Sequence, residues 1–245
     1  PMNDKSILRI VEPYVEKLAL QLDRQQLLQL QLLSELMQQD PLYKSVSKIA
    51  DPEEMAVKHF LDSLVPLSLA PEVWKAVNIL DLGTGAGFPC LPLAVALPNS
   101  NFIAVDSRQK SVDFVARMAE KAGIKNVKTR HARIEDLGSD LAFRERYDLV
   151  VCRALTAVRI LVEYTLPLVK NGGQAFFYKG PKLEQEMLEA ARAFSVFGVA
   201  AADIEMLSLI PPEVPYERNF VRILKRHPVP NVYPRKAGLP ASRPL

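Results

Sequence analysis

Eight residues constrain this chain more than any others: Asp81-Leu82-Gly83-Thr84-Gly85-Ala86-Gly87-Phe88, which place three glycines in five positions between two apolar runs. Glycine reaches positive φ without strain and carries no Cβ. A strand that runs through such a turn into a helix therefore leaves bare backbone for a ligand. A turn built only for structure seldom needs three. The spacing also bears on which ligand. A dinucleotide loop asks for G-x-G-x-x-G, whereas here Phe88 stands at the sixth position and the third glycine arrives one residue early. A nicotinamide-dependent dehydrogenase stays in view only as the weakest alternative.

The texture on either side of this loop supplies the architecture. From Trp74 onward, short apolar runs alternate with helical stretches, as in βα repeats around a parallel sheet. Strands are expected over 76–81, 101–105, 127–131, 148–151 and 174–178, and helices over 91–97, 111–122, 158–169 and 182–197. Asn171-Gly172-Gly173 reads as a helix stop and turn. Two last strands, 204–209 and 220–224, are joined too closely for a crossover, so an antiparallel end is expected. The fold class is α/β, with a seven-stranded, mostly parallel, Rossmann-like sheet and an antiparallel C-terminal strand.

Ahead of the sheet lies a helical section. Nine leucines between Leu18 and Leu36, with no Gly or Pro, predict a helix over 18–37 that neighbours cover on several sides. Asp51-Pro52-Glu53-Glu54 supplies an N-cap, a proline at the first position and first-turn acids for a helix reaching Leu64. His59 has Asp62 and Ser63 three and four residues on, within side-chain reach. The expected organisation is an N-terminal helical section over 1–73, a nucleoside-binding domain over 74–226 and a basic, Pro-rich tail over 227–245.

Composition narrows the setting. An apolar share of 49% and a charged share of 24% fit a globular chain with ample core. The longest unbroken apolar run, 91–98, is far short of the roughly 20 residues that cross a bilayer. Asp4, Glu12 and Glu16 argue against a secretory leader, and two cysteines, Cys90 and Cys152, allow neither a disulfide framework nor a CxxC metal site. A cytoplasmic location with no membrane and no metal is expected. The net charge of +3 is unevenly spread. Residues 216–245 hold seven Lys or Arg against Glu217 alone, a balance of +6 that leaves −3 for the rest. A basic tail on a mildly acidic body suits a polyanion, although a solvated terminus would look the same.

Site residues follow from the strand ends. Asp106 closes the second strand 19 residues after Gly87, where a carboxylate can accept both hydroxyls of a ribose, or can cap the next helix. Ile134 and Glu135 follow the third strand. Cys152-Arg153-Ala154 leaves the fourth, and Lys179-Gly180 the fifth, both at the ligand edge of an open α/β sheet. Cys152 could serve as a nucleophile, yet Val150-Val151-Cys152 reads more simply as buried packing.

Asp81-x-Gly83-x-Gly85-x-Gly87 resembles the first motif of class I S-adenosylmethionine-dependent methyltransferases. A wider set resembles the bacterial glucose-inhibited division protein B family: Asp51 to Glu54, Lys58-His59-Phe60-Leu61-Asp62-Ser63-Leu64, Gly83 to Pro89, Asp106-Ser107 with Lys110, Arg153-Ala154, Lys179-Gly180, and Tyr233-Pro234-Arg235-Lys236-Ala237-Gly238. The family often has Asn-Leu-Thr where Ser45 to Lys48 stand, and glycine at the position of Cys90. The resemblance implies methylation of a guanine N7 in small-subunit (16S) ribosomal RNA, free or in an assembling subunit, with S-adenosyl-L-methionine as cofactor. It implies a cofactor pocket formed by Asp81, Gly83, Gly85, Gly87, Phe88, Asp106, Ser107, Arg108, Ile134, Glu135 and Arg153. His59, Arg153, Lys179 and Arg218 are candidates for positioning the target nucleotide, and Arg218, Arg235 and Lys236 for holding RNA. N7 carries a lone pair and no proton, so no general base is expected. A small-molecule methyltransferase and a catalytically silent, cofactor-gated RNA-binding module are the alternatives.

Overall fold

The computed structural model describes residues 6–245; Asp4 and the first five residues of the expected helical section lie outside them. The described chain opens with α1 (Leu8–Lys17), α2 (Arg24–Gln39) and α3 (Tyr43–Val46). The helix expected over 18–37 is shorter at its front. Ala19 turns out of α1 at φ 51°, and Asp23 and Gln26 exchange hydrogen bonds in a capping box that starts α2 afresh. Next, α4 (Pro52–Met55) begins beneath Asp51, whose carboxylate accepts from the Glu54 N–H at 2.8 Å. The helix continues to α5 (Asp62–Leu64), but from Ala56 to Leu61 it winds as a π-helix. Such widened turns rotate the side chains that follow and recur at functional sites.

The rest alternates: β1 (Asn78–Leu82), α6 (Cys90–Ala96), β2 (Asn101–Asp106), α7 (Gln109–Lys121), β3 (Val127–His131), α8 (Ile134–Ser139), β4 (Tyr147–Arg153), α9 (Val158–Thr165), β5 (Val169–Lys179), α10 (Leu183–Glu189), α11 (Ala191–Val196), β6 (Ile204–Leu209), β7 (Arg218–Leu224) and α12 (Leu239–Ser242). The sheet order is β3-β2-β1-β4-β5-β7-β6, with β1 to β5 parallel and β7 antiparallel to both its neighbours. Two expectations are corrected. Asn171-Gly172-Gly173 is no turn ahead of β5 but an irregularity inside it, where the register with β4 shifts and Gly173 lies too close to the Asp148 carbonyl for a side chain. The helix expected over 182–197 divides at Ala190.

Alternation along the strands sorts the core into two layers. Ile79, Phe102, Leu149, Phe176 and Phe220 face α6, α7 and the N-terminal helices, while Leu80, Val105, Val150, Phe177 and Val221 face α9, α10 and α11. The N-terminal helices thus share one apolar cluster with the sheet. Phe176 is fully buried among Trp74, Tyr178 and Phe220.

The segment expected as a tail is folded against the body. Arg144 donates to the carbonyls of Gly138, Val229 and Tyr233, the Tyr233 ring packs 5.0 Å from that of Phe197, and Pro234 is buried against Gly138. The charge argument is corrected with it. Of the seven basic residues after Tyr216, Arg218, Arg222, Lys225, Arg226 and Arg235 pair with carboxylates of the body. Lys236 and Arg243 are exposed with no ion pair among the described residues. No helix among the described residues is long and apolar enough to cross a membrane, and none of their His, Cys, Asp and Glu side chains group as a metal site would.

Candidate functional site

Parallel strands point their carboxyl ends one way, so the loops after β1, β2, β3, β4 and β5 gather at one edge of the sheet. Two clefts open there. The first, about 390 Å³, is lined by Gly83 after β1, Asp106, Ser107 and Arg108 after β2, Arg133, Ile134 and Glu135 at the start of α8, and Ala154 and Leu155 after β4. The second, about 290 Å³, is lined by Lys58, His59 and Asp62 of the π-wound helix, Arg153 and Ala154, Tyr178 to Gly180, and Arg218. Ala154 belongs to both, and it is held there at φ 52°, a conformation that side chains other than glycine rarely adopt.

The first cleft has the features of a nucleoside site. Asp106 is nearly buried; one carboxylate oxygen accepts from the Gly85 N–H and the other from the Arg108 N–H, each at 2.9 Å. The same carboxylate therefore fixes the glycine loop and closes a local turn at Arg108, rather than capping α7 as the alternative had it, with lone pairs remaining for a diol. Glu135, also buried, accepts from the Gly238 N–H at 2.9 Å.

The three loop glycines differ in purpose. All have positive φ (72°, 57° and 95°), which strains any other residue, and a Cβ at Gly83 would lie 2.7 Å from a Leu155 methyl and one at Gly87 2.5 Å from a Leu91 methyl, so those leucines would also have to shift. Only at Gly85 is the space open. Asp81, expected in the pocket, lies wholly buried beneath the loop with neither oxygen hydrogen-bonded. Burial pushes its pKa up to about 7, against a smaller opposing pull from Thr84 and Arg153. Gly85, Gly87 and Phe88 likewise lie outside the cleft lining, and Arg153 lies on the other side of Ala154. These residues shape the pocket from beneath or beside it.

The second cleft brings together the four residues expected to position a nucleotide. Arg153 is its hub. Its guanidinium donates to the Lys58 carbonyl at 2.7 Å, Asp62 at 2.8 Å and His59 Nδ1 at 3.1 Å, and lies 5.5 Å over the Phe88 ring. An arginine can only donate, so Nδ1 is the acceptor and Nε2 carries the proton, which it gives to Ser47 Oγ at 3.0 Å. Burial lowers the His59 pKa to about 3, and the Arg153 charge adds to it. His59 is neutral at physiological pH. It stacks on Phe88 with ring centroids 4.2 Å apart, so the loop residue assigned to the cofactor supports the other cleft.

Asp62 takes Arg218 on its second oxygen rather than pairing with His59, and Arg218 lies over the Tyr216 ring. Burial works against the Arg218 charge, but Asp62 and Tyr216 together outweigh it and hold the guanidinium pKa above its usual value. Lys179 is engaged as well, with Glu186 at 2.6 Å and the Thr156 carbonyl at 2.9 Å. Cys152 is buried, its thiol pKa pushed well above the usual range by desolvation, which makes it packing and not a nucleophile. Arg235, expected to face RNA, donates through its backbone N–H, Nε and Nη2 to Glu163, a carboxylate only 1% exposed. Lys236 is exposed beside it.

Sequence reasoning missed Tyr178, Leu155, Tyr164, Gly238 and Ala241 as lining residues. Tyr178 lies one residue before the lysine that was singled out, at the next position of the same strand end.

A family model described as rRNA small subunit methyltransferase G matches residues 25–211. The ribosomal RNA small subunit methyltransferase G of Desulforamulus reducens is 40% identical over 201 residues, 82% of each chain. That of Lactobacillus johnsonii is 38% identical over 202 residues, 82% of this chain and 84% of the relative. Among solved structures, an S-adenosylmethionine-dependent O-methyltransferase from Thermotoga maritima aligns at TM-score 0.54 and 16% identity over 80% of this chain and 71% of its own. Cofactor-bound Rv0187 from MTB aligns at TM-score 0.55 and 15% identity over 89% and 97%. These likenesses establish the class I methyltransferase fold.

Proposed function

The chain belongs to the rRNA small subunit methyltransferase G family, and from that premise we propose that it transfers a methyl group from S-adenosylmethionine to guanine N7 of small-subunit ribosomal RNA and that its two clefts divide the work. The observation that carries the reading is the junction at Ala154: a cleft with two buried carboxylates meets one lined by cations at a single strained residue.

The cofactor, when bound, supplies a methyl group on a positively charged sulfur. Asp106 and Glu135 would hold its ribose and adenine, and the bare backbone at Gly83, next to the open position at Gly85, would let it lie against the loop. The target guanine enters the second cleft. Arg153 or Arg218 donates to O6, the neighbouring acceptor on the Hoogsteen edge, leaving the N7 lone pair aimed past Ala154. Neutral His59 neither takes nor gives a proton at pH 7; with Phe88 beneath it, it offers a flat face and fixes the Arg153 fork. Nothing need be deprotonated, so the residues accelerate transfer by alignment, a contribution that can reach roughly 7–11 kcal/mol. Asp62 restrains two cations that would otherwise collapse onto RNA phosphates. Lys236 and Lys110, both exposed, meet the RNA backbone beyond the cleft, on free RNA or an assembling subunit in the cytoplasm.

The test is methyl transfer from labelled S-adenosylmethionine to unmodified small-subunit RNA, followed by digestion to nucleosides. Label in 7-methylguanosine supports the assignment. Label in another nucleoside overturns the guanine assignment, and S-adenosylhomocysteine binding without any transfer makes the chain a silent RNA-binding module.

A further inference from the structure

We propose that residues 229–243 form a fixed strap that completes the cofactor cleft, with Arg235 its positioning residue and not an RNA contact. The inference rests on the cofactor assignment above and adds a wall that the strand-end loops do not supply. Gly238 and Ala241 line the same cleft as Gly83 and Asp106 at the ends of β1 and β2. Gly238 is tied to the cleft's own carboxylate, since its N–H donates to Glu135 Oε1 at 2.9 Å, and its φ of 86° turns the chain into α12.

The strap is held at both ends of its path. Upstream, Arg144 binds the Val229 and Tyr233 carbonyls. In the middle, Arg235 spends its backbone N–H, Nε and Nη2 on Glu163 of α9, and its remaining Nη1 donates to the Arg243 carbonyl at 2.9 Å, beyond α12. One side chain thus clamps the two ends of the turn that carries Gly238 and Ala241. A guanidinium so occupied keeps only one N–H on each terminal nitrogen for any other acceptor, and its loss would free α12 to drift from the cleft. Fork geometry matters here, because a lysine can satisfy Glu163 or Arg243 but not both along fixed directions.

The experiment is calorimetric titration of the full chain with S-adenosylhomocysteine, paired with thermal unfolding of the unliganded protein. Ala241→Arg places a long side chain at an exposed wall position. It should weaken binding at least about tenfold while leaving the unliganded melting temperature unchanged. The double variant Arg235→Gln, Glu163→Gln removes the clamp without stranding a buried charge. It too should lose about tenfold in affinity, with Arg235→Lys in the natural background recovering only part. If the wild type binds and both Ala241→Arg and the double variant bind as tightly, the strap is no wall and the proposal is overturned. If the wild type itself fails to bind, it is the cofactor assignment that fails. A drop in RNA affinity for the double variant at unchanged S-adenosylhomocysteine affinity would return Arg235 to the RNA surface and overturn the proposal.

Discussion

Replacing His59 with glutamine isolates one group whose titration the fold suppresses. The imidazole is 8% exposed, its Nδ1 faces a guanidinium, and its pKa falls from an ordinary 6.5 to about 3. In the unfolded chain it gains a proton as pH drops below 6.5; in the folded chain it does not. The unfolded state therefore binds more protons across pH 3 to 6.5, and stability contributed by neutral His59 is complete above 6.5 and lost as pH falls. Each pH unit in that window is worth about 1.4 kcal/mol, so roughly 2 kcal/mol is lost by pH 5. Glutamine can accept from Arg153 and donate to Ser47 but cannot titrate. The buried Asp81, whose raised pKa acts with opposite sign between about 4 and 7, is common to both proteins and cancels in the comparison. Urea unfolding of wild type and His59→Gln at pH 7.5, 6.0 and 5.0 reads the difference directly. The gap between them should shift by roughly 2 kcal/mol toward the variant from pH 7.5 to pH 5. A gap that stays constant would mean His59 titrates normally in the fold, and the neutral platform for the base would be wrong.

Other outcomes follow from the same contacts. Asp62→Ala leaves Arg153 and Arg218 without their shared carboxylate and should cost about 2–3 kcal/mol in urea unfolding, somewhat under the full value for a buried pair because both guanidinium groups keep some hydration; a loss under about 0.5 kcal/mol would deny the pair any role in stability. Gly85→Arg fills the one open position among the three loop glycines and should abolish S-adenosylhomocysteine binding in calorimetry, so wild-type affinity would remove the loop from the site. Lys236→Glu should lower the salt dependence of RNA binding by about one phosphate contact or more, read as the slope of log affinity against log salt, whereas an unchanged slope takes this lysine off the RNA surface. Arg235→Glu, by contrast, sets a second carboxylate against buried Glu163 and should lower stability by about 3–5 kcal/mol in urea.

How far the sequence carried can be seen at single residues. The glycine loop, the acid ending β2 and the βα alternation are local patterns, and the structure has them at the expected places. Four residues scattered from His59 to Arg218 meet in one cleft because strand ends and the π-wound helix converge; the strand-end positions of Arg153 and Lys179 made their part foreseeable, whereas His59 lies on that helix and Arg218 begins β7. What stayed hidden depends on pairing across the fold. Charge counting treats Arg222, Lys225, Arg226 and Arg235 as an exposed cluster, but their carboxylate partners Glu72, Glu205, Glu145, Asp203 and Glu163 are spread from residue 72 to 205. Two of three loop glycines pack closely against Leu155 and Leu91, a contact that no spacing rule contains. The start of α2 was written in Asp23 and Gln26, yet the leucine density around them masks it.

The arrangement of the two clefts about Ala154 is tested most directly by a crystal structure of the chain with S-adenosylhomocysteine. Density should lie between Gly83, Asp106 and Glu135, with the sulfur turned toward Ala154 and the Arg153 cleft. A sulfur facing away from Ala154, or a nucleoside seated anywhere else, would contradict the division into a donor side and an acceptor side.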